Sequence, residues 1–73
     1  MKNKNLTYSE IKDILETEIG SSSASRLANR ISNLENQSVQ KIRKIIDSEW
    51  GPNITRILTK KLKLALLKKR GKK

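Results

Sequence analysis

A chain of 73 residues with neither cysteine nor histidine has to hold itself together by aliphatic packing alone. Disulfides are excluded, and so are the usual zinc ligand sets, in a domain near the lower size limit for unaided folding. Nine isoleucines and nine leucines supply most of the apolar content, and Trp50 and Tyr8 are the two aromatics. That inventory suits one small helical core of modest stability.

The apolar residues recur at helical spacing through most of the chain, and no strand-like alternation of useful length interrupts them. Thr7 followed by Glu10 forms a capping-box signature, opening a helix whose apolar face is Tyr8, Ile11, Ile14, Leu15 and Ile19. Gly20 is expected to stop that helix, and Ser21–Ser23 to form a polar break with Ser23 as the next N-cap. A second, short helix is predicted from Ala24 to Leu34, with Leu27, Ala28, Ile31 and Leu34 inward and Arg26 and Arg30 outward. After a break over 33–37, a third helix is predicted from Gln37 or Ser38 to Glu49, with Val39, Ile42, Ile45, Ile46 and Trp50 on one side. Lys41, Arg43 and Lys44 lie elsewhere on its wheel. Gly51-Pro52-Asn53 ends it, and Asn53 is the expected N-cap of a last helix from Ile54 to Lys69. Its Ile54, Leu58, Leu62, Ala65 and Leu66 share one arc; Arg56, Lys60, Lys63 and Arg70 share another. Leu64 and Leu67 fit neither arc. The expected architecture is all-α, a small bundle of four helices of helix-turn-helix type, with residues 1–6 disordered, 7–69 folded and 70–73 a basic tail.

Charge is distributed very unevenly. The formal net charge is +10, yet residues 1–53 carry 8 basic and 7 acidic side chains, while 54–73 carry 9 basic and none acidic. Such an excess points to a polyanionic partner: nucleic acid, an anionic membrane surface or an acidic protein. No run of about 18 uncharged apolar residues exists to span a bilayer. The basic residues near Met1 are not followed by the apolar segment of a signal peptide. Four of the seven acids, Glu10, Asp13, Glu16 and Glu18, fall on the first helix, which is expected to face away from a polyanion.

Catalysis finds little support in these residues. Serine and threonine are plentiful, but no histidine or cysteine is present to build a familiar nucleophile–base pair, and nothing glycine-rich cradles a phosphate. The chain is therefore expected to be no enzyme and to need no cofactor, metal or small-molecule substrate. The row Arg56, Lys60 and Lys63, spaced by four and three, can instead neutralise successive phosphates along a groove. A merely solvated face is the alternative, weakened by the absence of any acid to offset the self-repulsion. Lys68, Lys69, Arg70, Lys72 and Lys73 read as a loose phosphate-binding tail. Trp50 can stack on a base, but its place on the apolar face favours core packing, and Tyr8 likewise reads as packing with its hydroxyl at the surface.

Three stretches together resemble the globular domain of linker histones. Tyr8-Ser9-Glu10-Ile11 looks like the opening of that family's first helix, Gln37-Ser38-Val39-Gln40-Lys41-Ile42 is similar to the start of its second, and Ile54-Thr55-Arg56-Ile57-Leu58-Thr59-Lys60-Lys61-Leu62 looks like its basic third. They cover about two-thirds of the chain, in the family's order. The resemblance implies a winged-helix variant of the helix-turn-helix that places its last helix in or near the major groove of duplex DNA. It carries DNA contacts over to Arg56 and Lys60, and to Lys41 as part of a second surface. Two departures stand out: residues 20–34 are an insertion, and the β-hairpin wing is missing. The C-terminal domain of the chromatin protein DEK, built of helices alone, offers a second family likeness.

The expected function is largely sequence-nonspecific binding of double-stranded DNA by a monomer in a chromatin or genome-packaging role, with nucleosomes among its partners. The nucleus is the expected place, or a nucleoid or virion for a source without one. The contacts are expected at Arg56, Lys60 and Lys63, with Lys41, Lys44, Lys68, Lys69 and Arg70 assisting. Two rivals come from other classes: an interaction module whose basic surface takes an acidic partner, and a cationic amphipathic helix lying on anionic lipid.

Overall fold

The computed structural model describes residues 5–71, which form three helical elements and no strand: α1 (Tyr8–Ser32), α2 (Val39–Glu49) and α3 (Pro52–Arg70). Four separate helices were expected; the difference lies at Gly20. This residue takes φ 86° and ψ 166°, a conformation essentially reserved for glycine, inside an otherwise helical α1. It reverses the chain. A straight helix would hold Tyr8 and Ser25 about 25 Å apart at 1.5 Å per residue, yet the Tyr8 hydroxyl donates to Ser25 Oγ at 2.9 Å. The two arms of α1 therefore fold back on each other with no intervening loop. Ser21–Ser23, expected as a break, are helical.

Gly20→Ala is consequently expected to destabilise the fold by about 1–3 kcal/mol through backbone strain alone, since a Cβ there would meet nothing within 4 Å. D-alanine prefers positive φ and is expected to be neutral or slightly stabilising. Thermal melts of the two synthetic chains check this; equal losses would place the cost in packing instead.

Local chemistry sets the other boundaries. Thr7 caps α1 with a full capping box: its hydroxyl accepts from the Glu10 N–H at 3.2 Å, and Glu10 Oε1 accepts from the Thr7 N–H at 2.8 Å. Ser38 caps α2 by accepting from the Lys41 N–H at 3.2 Å. The third boundary falls earlier than expected. α3 begins at Pro52, whose fixed φ and missing N–H suit the first helical position, and Gly51 rather than Asn53 stands at the N-cap. It ends at Arg70 rather than Lys69.

The core collects the inward faces of all three elements. Ile11 and Leu15 from the first arm of α1 meet Ala24, Leu27, Ala28 and Ile31 from the second, Ile42 and Ile46 from α2, and Leu58, Leu62 and Leu66 from α3. Ala24 and Ala28 are the smallest side chains of this core, and both are fully buried. Trp50 packs against this core as the C-cap residue of α2, half-buried, as its place on the wheel implied.

Asn5 and Leu6, expected within a disordered segment, have defined partners. Leu6 is buried in the core, held there by Gln37. The Gln37 side chain accepts from the Leu6 N–H at 2.7 Å and donates to the Leu6 carbonyl at 2.9 Å, closing a strand-like pair of bonds. Only residues 1–4 of that expected tail lie outside the described ones. At the other end Arg70 closes α3, and of the expected basic tail Lys72 and Lys73 lie outside the described residues.

Candidate nucleic-acid interface

α2 and α3 are the most extensively packed pair of elements, joined by the two residues Trp50 and Gly51. Their crossing leaves an open groove of about 500 Å³ between them. One wall is Val39, Arg43 and Asp47 of α2, each four residues from the next and so on one helix face. The other wall is Pro52, Thr55, Arg56, Thr59, Lys60 and Lys63 of α3. The row expected from sequence, Arg56, Lys60 and Lys63, is thus brought together on the rim of a concave surface. Arg43 faces it from the opposite wall.

Arg43 was not singled out by the sequence. Its position on the α2 wheel, away from the apolar side, was the available signal, but only the packing of α2 on α3 sets it across from Arg56. Asp47, one turn further along, puts a single carboxylate at the same groove. The groove floor is partly polar. Thr55 is buried and its hydroxyl donates to the Gly51 carbonyl at 2.9 Å. Thr59 is buried too, and its hydroxyl has no hydrogen-bond partner.

Lys41 and Lys44 line an adjoining depression with Gln40, Arg43 and Asp47. Arg43 and Asp47 belong to both surfaces, so the cationic face runs from Lys63 across Arg43 to Lys41.

The remaining expected contacts are placed differently. Lys68 and Lys69 line a depression on the far side of α3 with Leu6, Glu10, Asp13 and Ile14, where two acids share the surface. Lys69 is tied down: its ammonium meets Glu10 Oε1 at 2.6 Å. Hydrogen bonding from Lys69, followed by that from Thr7, holds the Glu10 carboxyl below its ordinary value of 4.5. The folded state therefore binds that proton less readily than the unfolded chain, so the pair stabilises the fold above that ordinary value and its contribution fades on acidification below it. Arg70 donates to the Gln37 carbonyl at 2.9 Å and to Asn5 Oδ1 at 3.2 Å. Lys69 and Arg70 are therefore clasps on the last turn of α3, not a loose tail.

Ion pairing sorts the cations by location. Lys12 pairs with Glu16, Arg26 and Arg30 both pair with Glu49, Lys61 pairs with Glu18, and Lys69 pairs with Glu10. Four of these pairs tie one element to another. Lys41, Arg43, Lys44, Arg56, Lys60 and Lys63 form no salt bridge with any described residue, and of the cations off that face Lys68 shares this property. The unneutralised cations are concentrated on the α2–α3 face.

No family model, curated protein or solved structure matches this chain. The site consists of four long cationic side chains around a concave surface with one acid among them. Among the described residues, no helix is long and apolar enough to cross a membrane.

Proposed function

We propose that this chain binds duplex DNA through the α2–α3 groove, with no catalytic step and little preference for sequence. The observation that carries the proposal is the convergence on one groove of Arg43, Arg56, Lys60 and Lys63, none of them ion-paired with a described residue, while Lys12, Arg26 and Arg30 of α1 and Lys61 and Lys69 of α3 are held by nearby acids. Neutralising phosphates releases condensed counterions, which makes cation clusters of this kind effective on DNA at moderate salt. Arg56 and Lys63 lie about 10 Å apart along the α3 axis at 1.5 Å per residue, a span that covers several phosphates of a duplex. Asparagine and glutamine, the usual readers of adenine edges, are lacking from the groove walls.

Within this proposal α2 and α3 act as a helix-turn-helix of the linker-histone-like type suggested by the sequence resemblance, with α3 as the helix that meets DNA. A DEK-like helical domain is the second choice. The two arms of α1 count as separate helices of a four-helix unit, the inserted arm following Gly20. Binding by a monomer to chromatin, or to a nucleoid or virion genome, is the corresponding biological setting.

Two labelled duplexes of equal length and unrelated sequence test the proposal. They are expected to bind with dissociation constants within about threefold of each other, in the micromolar range of nonspecific complexes. No retention of either duplex at low salt would overturn it.

A further inference from the structure

Phosphate neutralisation leaves one feature of α3 unexplained. Ile57, Leu64 and Leu67 are 45%, 56% and 58% exposed, large apolar side chains in the midst of a cationic surface. Their spacing of seven and three is that of a coiled-coil seam. Ile57 and Leu64 occupy one core position of the heptad, and Lys60 and Leu67 the other. At 100° per residue these four side chains fall within an arc of about 80°. The flanking heptad positions are Arg56 and Lys63 on one side, Lys61 and Lys68 on the other. Every flank is basic, and α3 contains no acid.

We propose that this outer face of α3 is a docking seam for an acidic amphipathic helix of another protein, with apolar residues at its core positions and glutamate or aspartate at its flanks. Flanking charges decide which helices pair. A second copy of α3 would set basic flanks against basic flanks, so the face rejects its own kind. A bilayer fits less well. Helices that lie in the interface present a broad apolar face, usually wider than about 100°, whereas here Lys60 sits inside the strip. Lipid would have to accommodate that ammonium among buried chains; a partner helix can meet it with a carboxylate. Lys61 already holds Glu18 at 2.9 Å, which leaves Arg56, Lys63 and Lys68 as the unpaired flanks. The docking rests on the seam and does not depend on the proposal that the chain binds DNA. If both occur, they compete, because Arg56, Lys60 and Lys63 belong to the groove as well.

The probe is a synthetic peptide of about three heptads, long enough to form helix on binding, with leucine at both core positions and glutamate at both flanks. Fluorescence anisotropy is expected to show saturable one-to-one binding. The exposed pair Leu64→Ser/Leu67→Ser is expected to weaken it at least about tenfold, with the circular dichroism melt unchanged and duplex affinity within about twofold of the parent. Equal affinity of the serine variant, or of a scrambled peptide of identical composition, would overturn the seam in favour of unspecific charge attraction. Binding to phosphatidylserine vesicles that is lost in the serine variant, together with indifference to the peptide, would overturn it in favour of a lipid surface. A chain that takes the peptide but no duplex would uphold the seam and sink DNA binding alone.

Discussion

Gln37→Leu is expected to lower the stability of the fold by about 2–5 kcal/mol, from the two buried backbone groups it leaves stranded. Gln37 is 1% exposed, and its side chain satisfies both the N–H and the carbonyl of the buried Leu6, with a longer 3.4 Å contact to the Ile31 carbonyl. Leucine fills a similar volume, so no cavity enters the comparison. What remains is the desolvation of two amide groups with no water to turn to. The backbone of the same residue makes two further ties, which the substitution leaves in place: its N–H donates to Asn5 Oδ1 and its carbonyl accepts from Arg70. One residue in a six-residue connection thus ties the N-terminal segment, the α1–α2 link and the end of α3 together. A small domain with only a few kcal/mol in hand would melt more than about 10 °C lower. Gln40→Leu, the same chemical change at an exposed position of α2, is the control and is expected to fall within about 0.5 kcal/mol of the parent. Indistinguishable melts for the two variants would show that Gln37 does not hold the ends together.

Reversing two cations of the groove, Arg56→Glu with Lys60→Glu, is expected to weaken duplex binding at least about 100-fold. Charge-assisted hydrogen bonds are worth about 1.5–3 kcal/mol each, and two lost contacts convert to that factor before the new repulsion from phosphate is counted. Both side chains are exposed and neither forms an ion pair with a described residue, so the fold gives nothing up. Stability is expected to stay level or rise slightly, since α3 carries a dense positive charge that repels itself. Loss of affinity with an intact melt is the signature of a contact surface. An affinity within threefold of the parent would show that the duplex is held elsewhere.

Much of the fold could be read along the chain because its signals are local. Thr7 with Glu10, and Ser38 three residues before Lys41, each complete a cap within one turn. The apolar arcs of α2 and α3 needed only the helical period, and Ile42, Ile46, Leu58, Leu62 and Leu66 are buried as that period required. At 51–53 two local signals competed: asparagine favours the N-cap, but proline already fits the first helical position, and proline set the boundary.

Gly20 was recognisable as an interruption, but not as a chain reversal without a loop. That outcome depends on Ile11 and Leu15 of one arm sharing a core with Ala24 and Ala28 of the other, an association that no local signal encodes. Gln37 looked like a loop residue, and its partner Leu6 lies 31 residues away. The partners of Lys69 and Arg70 are 59 and 33 or more residues distant, so a basic run at the end of a helix gave no hint that two of its members were clasps. For the site, the row on α3 was legible because it lies on one helix. Arg43 was not, because its role depends on a neighbouring helix.

The central claim is that a particular groove, rather than net positive charge, meets the duplex. Its most direct measurement is the salt dependence of duplex affinity for the parent, Arg43→Gln and Arg26→Gln. Both variants lose one positive charge. Arg43 lines the groove, whereas Arg26 pairs with Glu49 on another face. The slope of log affinity against log salt is expected to fall by about 0.9 in Arg43→Gln, one phosphate contact fewer, and to match the parent in Arg26→Gln. Equal reductions in the two variants would contradict the groove and leave only a polycation.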